Sequence, residues 1–112
     1  MRGKVWELAT GNKLGIMPEL YNSILAREDI VECLDREFAV ARPSDPSEEG
    51  GEPETNPKAG TVEYWARLIS TDLPRTHSVL AFFHKGGPLQ RPLHEVLLAF
   101  AVHRPDIGYV QG

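Results

Sequence analysis

Apolar residues recur at three- and four-residue intervals along most of this chain, and no stretch of useful length alternates apolar with polar positions. The spacing predicts helices throughout and an all-α fold with its polar signals on the connections. A first helical segment runs from Arg2 through Trp6, Leu8 and Ala9, with Gly11 and Asn12 as its stop. Pro18 suits the first turn of the next helix, where Leu20, Tyr21, Ile24 and Leu25 form one apolar stripe. Ile30, Cys33, Leu34 and Phe38 read as a continuation of that stripe.

The pattern stops between Arg42 and Gly60, where four prolines alternate with Asp45, Glu48, Glu49, Glu52 and Glu54. Such a segment has too little apolar surface to offset its ordering entropy, so residues 42–60 are expected to be a flexible acidic insertion, most simply a solvated connector. Helical spacing resumes at Val62, Trp65, Ala66 and Ile69, with Thr61 as a candidate cap. Pro74 disfavours a helical conformation at Leu73, so this helix should end near Thr71 or Asp72 and leave Arg75 on a loop. Val79, Leu80, Phe82 and Phe83 follow, then a break at Gly86-Gly87-Pro88. A last strong helix from about Leu93 to His103 should bury Leu93, Val96, Leu97, Phe100 and Ala101, ending before Pro105.

Composition narrows the function classes. The chain has 112 residues, 41% of them hydrophobic and 25% charged, enough for one small domain with a modest core. A net charge of −4 with no basic run argues against nucleic-acid binding, which needs a positive face over phosphates. The single cysteine, Cys33, has no partner for an internal disulfide and suits a reduced, cytoplasmic protein. No apolar run approaches the ~20 residues of a membrane helix, so direct membrane insertion is not expected.

Several chemical motifs start and fail. His94-Glu95 begins like a zinc-protease helix, but the position four beyond His94 is Leu98, so the second ligand is missing and no metal site is expected. The four histidines form no ligand set and are expected at the surface or satisfied by partners. His103-Arg-Pro-Asp106 is interrupted by its proline, and no Gly-Lys-Ser/Thr follows Gly15 or Gly87, so no nucleotide or cofactor site belongs to the chain itself.

Three short patterns in one order remain: Arg2-x-x-x-Trp6, Ile69-x-x-Asp72-x-x-Arg75 followed by Thr76, and Tyr109-x-Gln111-Gly112. Each is weak alone. Together, on a helical background, they resemble the three signature motifs of the TBC domain, the family of GTPase-activating proteins for Rab GTPases. The resemblance covers residues 1–112 except the acidic insertion. It implies the N-terminal helical subdomain of such a domain, with the second subdomain absent and the chain a fragment or short isoform.

The resemblance also implies the chemistry. Arg75 matches an arginine finger that reaches into a partner's site, and Gln111 matches a glutamine finger that takes over the water-positioning task. GTP and Mg²⁺ would belong to the partner, a Rab-family GTPase. Asp72 is then expected to order the finger loop, Tyr109 and Gly112 to shape the turn presenting Gln111, and Arg2 and Trp6 to pack their helix. His77 stands where the family often has an aromatic residue, which bears on loop packing rather than chemistry. The implied setting is vesicle trafficking, with a cytoplasmic protein held peripherally on membranes through a Rab. The alternative is a truncated, non-catalytic binding module that keeps the fingers but lacks the surface to hold a Rab.

Overall fold

Amphipathic spacing, capping side chains and two well-placed prolines together set the helix boundaries. The structure is a computed structural model that describes residues 2–39 and 56–111, so most of the acidic stretch read at 42–60 lies outside the described residues. Five helices are present: α1 (Arg2–Thr10), α2 (Pro18–Leu25), α3 (Glu28–Phe38), α4 (Val62–Asp72) and α5 (Gln90–His103), and no strand occurs among the described residues. The all-α fold expected from spacing is therefore the observed one.

Pro18 opens α2 at its first turn, where the missing N–H costs nothing. The Leu20-to-Phe38 stripe is not continuous. Arg27 is extended (φ −65°, ψ 135°), and the Asp29 carboxylate takes both the Arg27 guanidinium (2.6 and 3.1 Å) and the Ile30 N–H (3.0 Å). An acidic first turn thus starts a separate α3, favoured by the partial positive charge of a helix N-terminus. At α4 the Thr61 hydroxyl accepts from the Tyr64 N–H at 3.3 Å, as its candidate capping role requires.

The core lies where α3, α4 and α5 meet. Ile30, Cys33 and Leu34 come from α3; Trp65, Ala66 and Ile69 come from α4; Leu98 and Ala101 come from α5. Helix α2 closes the other side of α5. Cys33 is buried here and its thiol is pushed up, chiefly by burial, which leaves it an unreactive apolar filler.

Two further features depart from the spacing. The buried row of α5 is His94, Leu98 and Ala101, with Ala99 beside it, whereas Val96 and Phe100 are partly exposed. From Val96 to Val102 helix α5 is apolar all round, so the pattern does not single out a face there; neighbours on both sides do. His94 is 1% exposed rather than at the surface, and neither ring nitrogen has a hydrogen-bond partner among the described residues. Its ring stands edge-on to Phe38, centroids 5.4 Å apart, and burial pushes its pKa down.

The second departure is α1, which buries no residue; Arg2 is exposed and Trp6 is 66% exposed. Val5, Leu8 and Ala9 stand at i, i+3 and i+4 on one side of α1 but are all exposed, and Trp6 lies off that stripe. The packing expected of Arg2 and Trp6 is not made among the described residues.

Candidate functional site

The Pro74 rule is obeyed only in part. Helix α4 ends at Asp72, yet Leu73 keeps helical angles (φ −53°, ψ −47°), and the chain continues as a single 3₁₀ turn, Leu73–Arg75. Leu73 is almost fully buried, and seating its side chain outweighs the crowding from the proline ring that follows. Arg75 therefore projects from the end of a short helical extension rather than from an open loop. The turn is closed by the Thr76 N–H on the Leu73 carbonyl (3.1 Å) and the Thr76 hydroxyl on the Asp72 carbonyl (3.1 Å). After it, His77 and Ala81 take left-handed angles (φ 44° and 54°) on either side of a Ser78–Leu80 turn that leaves Val79 95% exposed.

Asp72 is the hub of this corner. One carboxylate oxygen is ion-paired with the Arg75 guanidinium, and the other accepts from the Tyr109 hydroxyl at 3.0 Å. Its side chain is 14% exposed, against 60% for Arg75, so the acid is shielded while the paired arginine remains open to solvent. Burial, then the bond to Asp72 and its negative charge, push the Tyr109 phenol up to about 12, so it remains an O–H donor at any physiological pH.

The segment after α5 approaches the same corner by a short turn. Arg104 holds Asp106 with two hydrogen bonds of 2.9 and 2.7 Å, and the Gly108 N–H returns to the Arg104 carbonyl at 2.8 Å. Gly108 has φ +65° and lies directly on the Trp65 indole. From there the backbone carries Tyr109 to Asp72 and leaves Gln111 exposed at the mouth of a cleft of about 490 Å³. Arg75, Thr76, Tyr109 and Gln111 line that cleft together with the apolar side chains of Leu97 and Phe100 from α5.

Of the residues singled out from sequence, the structure brings Asp72, Arg75, Thr76, Tyr109 and Gln111 together around one opening. Arg2 and Trp6 do not line it, and Gly112 lies outside the described residues. Sequence spacing missed Trp65 and Gly108 as parts of the corner. A glycine just after a proline turn signals a left-handed position, but nothing local tells that an indole lies against it. No group of three or more histidine, cysteine or acidic side chains among the described residues is placed to hold a metal ion. No helix among them is long and apolar enough to cross a membrane.

A helical corner that presents an arginine and a glutamine at one cleft is the class of arrangement found here, and comparison with known proteins gives it a family. The profile of the Rab-GTPase-TBC domain matches residues 1–112, so the chain belongs to the Rab-GTPase-TBC domain family. It is similar to TBC1 domain family member 12 of Mus musculus (42% identity over 113 residues) and to TBC1 domain family member 14 of Bos taurus (42% over 115). A more distant relative is drainin of Dictyostelium discoideum, 30% identical over 137 residues. Each alignment covers 100% of this chain, which spans 15% of the first two relatives and 31% of drainin. No solved structure matches it.

Proposed function

We propose that this chain carries the catalytic corner of a GTPase-activating protein for a Rab-family GTPase. The observation that supports the reading is the shared cleft: Arg75 and Gln111, far apart in sequence, line one opening and are tied to it through Asp72 and Tyr109. Phosphoryl transfer asks little covalent chemistry of a protein and much positive charge and positioning. Arg75 acts as the arginine finger, its planar, permanently charged fork serving two phosphate oxygens at once. Gln111 acts as the glutamine finger, whose amide both donates and accepts and so orients the attacking water. GTP and Mg²⁺ belong to the Rab. To reach the phosphate Arg75 leaves Asp72, whose other oxygen stays satisfied by Tyr109. The protein would act in the cytoplasm in vesicle trafficking, held peripherally at membranes by its Rab.

The test is single-turnover GTP hydrolysis by a panel of Rab proteins, with Rab binding measured in parallel. Acceleration of at least one Rab is expected, with Arg75→Ala lowering it by roughly 10³-fold while Rab binding persists. Gln111→Ala should also lower it. A chain that binds a Rab without accelerating hydrolysis is the non-catalytic binding module instead. Unchanged acceleration in both variants would refute the two-finger mechanism.

A further inference from the structure

We infer that Trp65 is a positioning residue for Gln111: its indole is the seat on which Gly108 rests, and it fixes how deeply the 108–111 segment sits against α4. Trp65 is 7% exposed and belongs to the buried core. A methyl group added at Gly108 would stand 2.7 Å from the indole Nε1, 3.0 Å from Cε2 and 3.2 Å from Cζ2, closer than a side-chain carbon can come without something shifting. The backbone therefore lies on the indole edge with no room for a side chain, and φ +65° adds a second reason for glycine.

Trp65 and Asp72 lie seven residues apart, on one face of α4 with Ile69 between them. That face meets the tail at two adjacent residues, Gly108 on Trp65 and Tyr109 on Asp72. Two contacts along one rigid helix define both the height and the direction of the backbone that continues to Gln111. A single hydrogen bond from Tyr109 would leave the segment free to pivot. Trp65 does not line the cleft that Arg75 and Gln111 share, so it acts on that cleft through Gly108.

The catalytic consequence of this seat rests on the finger reading above, and the seat itself does not. The decisive variant is Gly108→Ala in the full chain, followed by GTP hydrolysis with the most responsive Rab, hydrogen exchange at residues 109–111 and the Trp65 indole N–H resonance. A displacement near 1 Å costs roughly 10²-fold in rate, so kcat should fall by about that factor while KM stays nearly constant and the helical signal is retained. Exchange at 109–111 should quicken and the indole resonance should shift. Adding Trp65→Leu removes Nε1, Cε2 and Cζ2, the atoms the new methyl meets, and should restore part of kcat. Trp65→Phe alone is the milder variant and should quicken exchange at 109–111 with the helices intact. Unchanged exchange and an unchanged indole resonance in Gly108→Ala would overturn the inference. So would a fall in kcat that Trp65→Leu does not relieve at all. If no Rab responds to the unaltered chain, the finger reading fails, and the exchange and resonance changes still decide whether the seat exists.

Discussion

Replacing His94 with leucine removes a buried imidazole whose two nitrogens have no partner among the described residues. The variant should be more stable than the parent. A buried polar group left unpaired costs about 1–3 kcal/mol, and a leucine of similar size has no such group. Against this stands the lost edge-on contact with Phe38, worth about 0.5–1.5 kcal/mol. The balance is a gain of about 1 kcal/mol near neutral pH. Burial holds the folded His94 below its ordinary pKa of 6.5, although Glu37 and Glu95 pull the other way. Arg91, stacked 5.7 Å over the Phe38 ring, places a further positive charge at this junction. The unfolded chain therefore binds a proton that the folded chain resists, so the parent is at full stability above about 6.5 and loses stability as pH falls below it. His94→Leu lacks this loss, and the gap between variant and parent should widen with acidity. Urea denaturation of both proteins at about pH 7.5 and about pH 5.5 reads the two gaps directly. A variant less stable than the parent at the higher pH, or a gap that fails to widen at the lower one, would show that the imidazole is partnered in solution.

Tyr109→Phe deletes the donor to Asp72 and should cost about 1 kcal/mol of stability, while removing the last phenol to ionise, near pH 12, from a tyrosinate absorbance titration. An unaltered titration would place the 3.0 Å bond in doubt. Thr61→Ala removes the cap of α4 and should cost about 0.5–1 kcal/mol, at the low end because the capping bond is long, whereas Thr61→Asn should be nearly neutral; denaturation midpoints distinguish the two. Ile69→Ala empties a fully buried position between Trp65 and Asp72 and should cost about 2–5 kcal/mol by the same measurement, with a value under 1 kcal/mol meaning that the α3, α4 and α5 junction is not packed as described.

Local chemistry was legible wherever the chain's neighbours in sequence are also its neighbours in space. Pro18, Thr61 and Gly11 mark helix ends because a missing N–H, a capping hydroxyl and a left-handed residue act within a few positions. The order of the three motifs was enough to give the family and the helical class. The single α2–α3 stripe was misread because Asp29, a polar residue outside the apolar spacing, starts a new helix by accepting from the Ile30 N–H and Arg27. The face of α5 was misread for the opposite reason: every position from Val96 to Val102 is apolar, and periodicity carries no information where all faces qualify. Only the packing of α3 and α4 on one side and α2 on the other selects His94 and Leu98.

The candidate site divides in the same way. Sequence by itself determined that Arg75 lies just past a helix end, with Asp72 one turn behind it, because both facts are local to a proline-terminated helix. It could not determine that Asp72 also holds Tyr109, or that Gly108 lies on Trp65, since those contacts join α4 to the segment that follows α5, with the whole of α5 between them in sequence. Long-range contacts of this kind depend on how two helices cross and how a turn returns the chain to them. The tertiary structure therefore decided that an arginine and a glutamine distant in sequence face one cleft, held there by one carboxylate and one indole.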